Sequence, residues 1–184
     1  STESLFFMNT TDNQVLLECV PNFSEGRNPV VIESIAAAIR QIVGVKLLHV
    51  DPGYDANRTV MTFVGAPLAV VEAAFQSIKT ASQLIDMRQQ LGAHPRMGAT
   101  DVCPLVPIAG MSIDEAVVLA RTLGQRVGTE LNIPVYLYEY AAQDPQRRNL
   151  ATIRQGEYEG LAQKIRQPEW TPDYGPDQGA VPAG

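Results

Sequence analysis

Residues 28–51 have the sequence NPVVIESIAAAIRQIVGVKLLHVD, and this stretch decides the fold that the chain predicts. Asn28 is a favourable helix N-cap, and Pro29 suits the first helical position because its missing N–H needs no partner there. Apolar residues then recur at helical spacing, at Val31, Ile32, Ile35, Ile39 and Ile42. Gly44 ends this helix. Residues 45–51 predict a strand, and their mostly apolar composition favours an interior position in a sheet.

Similar patterns before and after this stretch predict the other elements. Further strands are expected at residues 15–20, 58–64, 101–108 and 134–140. Further helices are expected at residues 67–87, at 112–131 behind a Ser112–Glu115 capping box, and near 150–155 and 158–166. Residues 21–27 and 52–57 are expected to be loops. The first six elements follow the order of the split βαβ, ferredoxin-like motif.

The predicted fold class is therefore α+β. We expect a ferredoxin-like split βαβ sheet, antiparallel or mixed, with the helices on one face and an extra α-β unit. One domain covers residues 14–167, a length that can bury a core. Residues 1–13 are mostly polar and predict a flexible N-terminal tail. Residues 168–184 are rich in proline and glycine and predict a crossing segment or linker without a regular element.

Composition and charge exclude several classes of partner. The chain has 184 residues and a net charge of −6, which argues against nucleic acid and anionic membranes. No apolar run is long enough to span a bilayer, and the N-terminal residues lack the basic region of a signal peptide. We therefore expect a cytoplasmic protein. Cys19 and Cys103 have no metal-ligand spacing, so we expect buried free thiols and no metal site.

A second informative stretch, GAHPRMGATDVCP at residues 92–104, contains His94, one of two histidines in the chain. Pro95 disfavours helix at His94, and Gly92 and Gly98 permit turns or a close approach of the backbone to a ligand. An imidazole can take and give a proton at cellular pH. These residues leave two interpretations open: a proton-transfer group, or a loop histidine with one structural hydrogen bond.

Three loops, at residues 21–27, 51–58 and 92–101, are candidates to meet at one end of the sheet. Asn22, in the first loop, is either a turn residue or a neutral hydrogen-bonding group for a substrate. Asp51 either caps a turn or stabilises a cationic intermediate. Arg58 and Arg96 flank the expected cleft. Each guanidinium either binds a carboxylate through two parallel hydrogen bonds or lies on the surface.

Several segments together resemble the glutamate formimidoyltransferase (formiminotransferase) family, and within it the N-terminal subdomain of the catalytic domain. The matching segments are CVPNFSEG at 19–26, NRTV at 57–60, TASQLIDM at 80–87, HPRMGA at 94–99, DVCP at 101–104 and PVYLY at 134–138. The similarity extends from about Leu16 to Gly175. Several long matches in the same order make the resemblance specific.

The resemblance implies a reaction and a set of site residues. The family transfers a formimidoyl group from N-formimidoyl-L-glutamate to N5 of tetrahydrofolate, in histidine degradation and one-carbon metabolism. The family's acid/base histidine matches His94, and its folate-contacting Gly-Pro segment matches Gly175-Pro176 onward. The expected roles are catalysis for His94, Asp51 and Asn22, substrate binding for Arg58, Arg96 and Gly98, and folate binding for Gly175, Pro176 and Gly184.

The expected chemistry needs one acid/base group and no metal. In the transfer, one carbon is bonded to two competing nitrogens: the incoming N5 loses a proton and the departing glutamate nitrogen gains one. A single histidine can perform both steps in turn. The carboxylate of Asp51 can stabilise the amidinium-like charge. Tetrahydrofolate is then a co-substrate, and we also expect a homodimer.

The family fold has two ferredoxin-like subdomains with the substrates in the cleft between them, whereas this sequence ends at Gly184, where the second subdomain is expected to begin. We therefore expect half of a two-subdomain active site, completed in cis or in trans, and poor transferase activity from this chain alone. Two alternatives stay open. One is a relative that transfers formyl groups or handles 5-formyltetrahydrofolate, and the other is a non-catalytic folate-binding or dimerisation module.

Overall fold

A computed structural model describes residues 14–177 and 182–184 of the chain. Its strands are β1 (Leu16–Cys19), β2 (Asn22–Phe23), β3 (Val45–Gly53), β4 (Arg58–Gly65), β5 (Thr100–Val102) and β6 (Leu105–Ala109). Its α-helices are α1 (Pro29–Arg40), α2 (Pro67–Leu84), α3 (Ile113–Glu130), α4 (Leu150–Arg154) and α5 (Glu157–Lys164). Short 3₁₀ helices lie at Glu139–Ala141, Pro145–Arg148 and Pro168–Trp170. The tail predicted at residues 1–13 lies outside the described residues.

Two helix starts confirm the capping signals in the sequence. The Asn28 side chain accepts from the N–H of Val30 at 3.0 Å and begins α1. At the start of α3, Glu115 N–H donates to Ser112 Oγ at 3.1 Å, and Ser112 N–H donates to the Glu115 carboxylate at 3.2 Å. Such caps stabilise a helix by about 1 kcal/mol each. No helix within residues 14–177 or 182–184 is both long and apolar enough to cross a membrane.

The strands form one sheet whose order is ferredoxin-like. β1 and β2 follow each other in line, and both pair with β4 on one side. On their other side β6 pairs with β1, and β5 pairs with β2. β3 pairs with the far side of β4. From edge to edge the order is β3, β4, β1 with β2, and β6 with β5, with antiparallel pairing throughout these strands. The predicted α+β fold class is confirmed.

Alternating burial along β4 separates the two faces of the sheet. Thr59, Met61 and Phe63 are 0% exposed, whereas the residues between them are half-buried. The buried face joins a single apolar core with the inward sides of α1, α2 and α3. Truncating a core aromatic such as Phe63 to alanine costs about 3–5 kcal/mol. The long helices therefore cover one face, as predicted, and leave the other face of the described sheet open.

The prediction of one strand at residues 101–108 is wrong, because two strands form there. β5 ends at Val102 and β6 begins at Leu105. Pro104 has no N–H to donate to a neighbouring strand, so the regular ladder is interrupted at this point. The loop predicted at residues 21–27 is also shorter than expected, since Asn22–Phe23 forms β2 between β4 and β5.

The predicted interior position of residues 45–51 is wrong, because β3 pairs only with β4 in the described sheet and forms its edge. Leu47 and Val50 pack against the core, but Leu48 lies in an irregularity of the pairing and is 52% exposed. The apolar composition therefore reflects side chains on both faces of an edge strand. The strand also continues past Asp51 to Gly53.

The strand predicted at residues 134–140 does not form in the described part of the chain. Val135 makes only an isolated bridge to Tyr174, and a 3₁₀ helix begins at Glu139. Leu137 N–H donates to Asp173 Oδ2 at 2.8 Å, which ties the segment to residues 173–174 instead of to the sheet edge. Tyr136, Tyr138 and Tyr140 alternate as residues on one face of a strand do. Tyr136 instead joins a small second core with Ile153, Leu161 and Ile165.

Candidate functional site

Hydrogen bonds join the three loops that the sequence predicts to meet. Asn57, in the turn between β3 and β4, accepts from Gly26 N–H at 2.9 Å and donates to Leu91 O at 3.2 Å. The Ser24 hydroxyl donates to Gly98 O at 2.7 Å. The loop after β1, the turn before β4 and the loop before β5 therefore form one connected unit, and their predicted convergence is confirmed.

Asn22 and Asp51 lie on the same face of the sheet. Both are cross-strand partners of Val60, Asn22 from β2 and Asp51 from β3. Residues directly opposite one another point to the same side of a sheet. Because the neighbouring Thr59 points into the core, Asn22 and Asp51 point to the open face. Asn22 is buried there, whereas Asp51 is exposed.

Arg58 connects Asn22 to His94. Its Nε donates to Asn22 Oδ1 at 2.8 Å, and its Nη2 donates to the same oxygen at 2.5 Å. Its Nη1 contacts both ring nitrogens of His94. Partial burial lowers the pKa of Arg58, while the nearby Asp101 carboxylate acts in the opposite direction and raises that pKa. A guanidinium stays charged under such conditions, so a cation lies between the amide and the imidazole.

His94 is held in one orientation by its own loop. Its Nδ1 lies 2.7 Å from Pro95 O. A carbonyl oxygen can only accept, so this bond assigns the ring proton to Nδ1. Nε2 is then the accepting nitrogen. Arg58 Nη1 lies against both ring nitrogens, and with the proton on Nδ1 it can donate only to Nε2. The half-buried ring is therefore fixed at one nitrogen by backbone and at the other by a side chain.

A buried ion pair supports the His94 loop. Asp101 Oδ1 accepts from Met97 N–H at 2.8 Å, and Oδ2 accepts from Arg154 Nη2 at 2.5 Å. The Asp101 and Arg154 side chains are 2% and 17% exposed. Since Arg154 ends α4, this pair attaches that helix to the loop.

Arg96 already has partners within the chain. Its guanidinium donates to Glu157 at 3.1 Å, to Glu159 at 2.6 Å and to Gln90 O at 2.8 Å. These hydrogen bonds, chiefly that to Glu159, raise the pKa of Arg96. Arg96 therefore fastens the His94 loop to α5. Its expected contact with a substrate carboxylate stays a prediction, and such a contact requires exchange of one of these partners.

The two glycines of the His94 loop have different surroundings. A Cβ at Gly92 would lie 2.2 Å from Ala56 O, so the loop touches the turn before β4 too closely for a side chain. A Cβ at Gly98 would meet only Thr100 O, at 3.6 Å. The close backbone approach is thus at Gly92. Gly98 has space beside it, and its expected role in substrate binding stays a prediction.

The glycines expected to bind folate contact the helices. Gly175, with φ +88°, packs on Gly128 of α3, where a Cβ would lie 2.5 Å from Gly175 N. Pro176 follows it along the chain. Gly184 lies against Ser82 of α2, where a Cβ would be 2.1 Å from the Ser82 carbonyl oxygen. Within the described residues no hydrogen bond joins Gly175, Pro176 or Gly184 to the three converged loops, although Gly184 lines the same cavity as Gly98. Their folate-binding role stays a prediction.

Sequence reasoning missed three residues that build the site. Asn57 adopts φ 51° and bridges all three loops. Its position in a turn-rich loop could have indicated this role, because asparagine tolerates a positive φ and its side chain bonds nearby backbone. Asp101 and Arg154 are 53 positions apart, and no local pattern marks them as partners. Among the residues that the structure describes, no group of three or more His, Cys, Asp and Glu side chains is placed to hold a metal ion.

Comparison with known proteins identifies relatives. A family model described as the formiminotransferase domain, N-terminal subdomain, matches residues 16–184. The chain is 59% identical over 161 residues to formimidoyltransferase-cyclodeaminase of Rattus norvegicus, an alignment that covers 88% of this chain and 30% of the relative. It is 47% identical over 160 residues to glutamate formimidoyltransferase of Streptococcus pyogenes, covering 87% of this chain and 54% of the relative. It is 49% identical over 163 residues to glutamate formimidoyltransferase of Thermoplasma acidophilum, covering 88% of this chain and 54% of the relative.

The chain thus spans between 30% and 54% of the length of these relatives. The family match covers nearly all of the described residues and includes the three converged loops. It agrees with the ferredoxin-like order of the sheet. The chain belongs to the formiminotransferase domain family, as its N-terminal subdomain.

Proposed function

We propose that this subdomain supplies the N-terminal half of a glutamate formimidoyltransferase active site. The reaction moves the formimidoyl group of N-formimidoyl-L-glutamate to N5 of tetrahydrofolate and releases glutamate, as a step of histidine degradation. The observation that carries the proposal is the continuous contact from Asn22 through Arg58 to His94 at the open face of the sheet. The names of the relatives support the same class of reaction.

His94 performs the proton transfers in this proposal. The formimidoyl carbon passes through a tetrahedral state that is bonded to both nitrogens. Nε2 accepts the proton of N5 as N5 attacks, and the imidazolium returns a proton to the glutamate nitrogen as it leaves. The bond from Nδ1–H to Pro95 O supports this assignment because it leaves Nε2 as the basic nitrogen.

Arg58 couples substrate binding to the release of this base. Its Nη1 contacts Nε2 of His94, so the basic nitrogen already has a donor within the chain. A carboxylate is a stronger partner for a guanidinium than a neutral imidazole is, because it offers charge and two parallel hydrogen bonds. When a glutamate carboxylate takes the guanidinium, Nε2 becomes free to accept from N5.

Asp51 supplies negative charge on the other side of Val60. Neighbouring strands are about 4.8 Å apart, so two strand spacings, about 9.6 Å, separate the backbones of Asn22 and Asp51. A planar amidinium group fits in that interval above Val60. The exposed carboxylate of Asp51 stabilises its positive charge. Asn22, whose Oδ1 accepts from Arg58 and whose Nδ2 donates to Val20 O, must exchange an Arg58 bond before its oxygen can accept from the amidinium.

A second formiminotransferase subdomain, in cis or in trans, covers the open face and completes the site. Exposed apolar side chains at the β6 edge support the idea: Val106 is 39% exposed, and Ile108, two residues further along the strand, is 51% exposed. Contiguous exposed apolar surface marks interaction sites. The alignment covers 54% of the Streptococcus pyogenes relative, so the remainder of that relative is of similar length. This supports a partner subdomain of similar size. Folate contacts at Gly175, Pro176 and Gly184, homodimerisation and a cytoplasmic location stay predictions.

Calorimetry and an activity assay together test the proposal. Residues 16–184 replace the matching part of the Streptococcus pyogenes relative, and the chimera is compared with its His94→Ala variant. We expect equal affinity for a tetrahydrofolate analogue by isothermal titration, and transfer slower by about 10²- to 10⁴-fold in the variant. Equal turnover would contradict the role of His94.

The same chimera separates the alternatives. Folate binding with formyl but not formimidoyl transfer would favour the formyl-handling relative. Folate binding without transfer of either group, although the Streptococcus pyogenes protein is active in the same assay, would favour a non-catalytic module. Residues 16–184 alone, assayed beside the chimera, are expected to show poor transfer because the proposed site needs a second subdomain.

A further inference from the structure

The two cysteines of the chain form a close pair. Cys19 Sγ lies 3.6 Å from Cys103 Sγ, and both thiols are free. Cys19 ends β1, and Cys103 lies at the break between β5 and β6. Next to them Val20 N–H donates to Pro104 O at 3.3 Å, so the two backbone segments that carry the sulfurs run side by side. The transferase chemistry proposed above uses neither thiol.

The two thiols differ in access. Cys19 is 0% exposed, and this burial raises the pKa of its thiol. Cys103 is partly exposed and lines a cavity of about 640 Å³ bounded by α3, β6 and residues 133–141. One water molecule occupies roughly 30 Å³ of liquid, so this cavity admits small reagents. A reagent in the cavity therefore reacts with Cys103 first, and Cys19 is oxidised only by reaction with the modified Cys103.

We propose that Cys19 and Cys103 are a hydroperoxide-reactive dithiol that closes to an intramolecular disulfide. The Cys103 sulfur attacks one peroxide oxygen and the O–O bond breaks. The leaving oxygen departs with the thiol proton as water or an alcohol, and Cys103 becomes a sulfenic acid. The Cys19 sulfur then attacks the Cys103 sulfur, the S–O bond breaks and water leaves. Two thiols are oxidised by two electrons in total, and one hydroperoxide is reduced.

The position of Cys103 makes this closure feasible. The sulfurs must approach from 3.6 Å to about 2.05 Å. The shift falls at the junction before Pro104, where the regular strand pairing is already interrupted. Formation of the disulfide also pulls on the end of β5. Asp101 of this strand holds the His94 loop by accepting from Met97 N–H. Disulfides are rare in reducing compartments, and those that form there are usually transient.

Hydrogen peroxide is the probe for the test. The reduced chain is treated with peroxide, quenched with an alkylating reagent, and analysed by intact mass and by non-reducing peptide mapping. We expect the mass to fall by two hydrogens, alkylation to be lost, a Cys19–Cys103 cross-linked peptide to appear, and dithiothreitol to reverse all three changes. Two alkylatable thiols after peroxide, or a disulfide found only between molecules, would overturn the proposal.

Variants test the order of events. Cys19→Ser leaves Cys103 to react, and we expect it to stop at a sulfenic acid that dimedone traps. Cys103→Ser is expected to resist peroxide because Cys19 is 0% exposed. A Cys103→Ser chain that reacts as fast as the unmodified chain would contradict the proposal. If a variant does not fold, timed alkylation of the unmodified chain gives the same information: Cys103 must be labelled before Cys19, and the reverse order contradicts the proposal.

Discussion

Asn22 and Asp51 stand on either side of Val60 in one row across the open face of the sheet. The two ends of this row differ. Asn22 is buried and accepts two hydrogen bonds from the Arg58 guanidinium, whereas Asp51 is exposed. The Asn22 side is therefore organised by contacts within the chain, and it is tied to the orientation of His94 through one arginine.

Replacing Arg58 by lysine is expected to lower kcat/KM for formimidoyl transfer by about 10- to 100-fold. Lysine keeps the charge but cannot hold Asn22 and His94 together, and a hydrogen bond to a charged group contributes about 1.5–3 kcal/mol. Arg40→Lys, in an exposed pair with Glu33, is the control. Because Asn22 acts through Arg58, adding Asn22→Ala to Arg58→Lys should cost less than the two single effects combined. An unchanged kcat/KM in Arg58→Lys would contradict the proposed role.

Gly92→Ala and Gly98→Ala form a matched pair within one loop. The new methyl group at residue 92 would lie 2.2 Å from Ala56 O, so the loop must separate from the turn before β4. The same change at residue 98 meets only Thr100 O, at 3.6 Å. We expect Gly92→Ala to lose about 1–3 kcal/mol of folding stability and Gly98→Ala to change it little, by chemical denaturation. Equal stability of the two variants would show that the loops do not pack as described.

The buried pair of Asp101 and Arg154 is expected to respond strongly to loss of one partner. Asp101→Asn leaves the Arg154 charge partly buried without its carboxylate and should cost about 3–5 kcal/mol in unfolding free energy. The double variant Asp101→Asn with Arg154→Met removes that charge and should recover part of the loss. Hydrogen exchange at Met97 N–H, which donates to Asp101 Oδ1, should change less than the unfolding free energy does, because the amide oxygen of asparagine can still accept from it. A double variant no more stable than Asp101→Asn would argue against an ion-pair origin of the effect.

Acid should weaken the contact between α2 and α3 at Glu72. Hydrogen bonds from Arg126 and then Gln76 lower the pKa of Glu72 from its ordinary 4.5. A carboxylate whose pKa is lowered by folding stabilises the folded state above its unfolded pKa, and this contribution disappears as the pH falls through the lower, folded value. The Glu72 side chain is 39% exposed and solvent screens the pair, so we expect only about 0.5 kcal/mol at pH 7.

The measurement for Glu72 is the difference in Tm between the unmodified chain and Glu72→Gln as a function of pH. The difference should be constant above about pH 5 and vanish towards pH 3. Glu33→Gln removes an exposed pair within α1, with side chains 66% and 51% exposed, and serves as the control with little effect. A Glu72→Gln difference that grows as the pH falls would have the wrong sign for this account.

Local signals in the sequence predict much of the fold. The Asn28 cap, the Ser112–Glu115 capping box and the alternation in β4 each depend on residues close together in the chain, and each is found. The errors concern pairing between distant segments. The alternating tyrosines at residues 136–140 suit a strand, yet their backbone bonds to residues 173–174 instead of to β6. Tertiary packing decides with which neighbour a segment pairs. Alternation of residue types within the segment does not predict that neighbour.

The candidate site shows the same difference between residues with a local sequence signal and contacts between distant residues. His94, Asn22 and Arg58 are prominent in the sequence because they lie in or beside turn-rich segments, and the structure brings them into contact. The partners of Arg96 come from Glu157 and Glu159, 61 and 63 positions away. Any acidic residue can pair with an arginine, so such long-range ion pairs leave no local pattern to detect.

The central claim, that the His94 imidazole moves the proton in formimidoyl transfer, is tested most directly by chemical rescue. Replacing His94 by glycine in the chimera with the Streptococcus pyogenes relative removes the ring and leaves a space that free imidazole can enter. We predict that transfer falls sharply and that added imidazole restores part of the rate in proportion to its neutral form, with no effect on the unmodified chimera. A His94→Gly chimera that transfers at the unmodified rate without imidazole would contradict the claim.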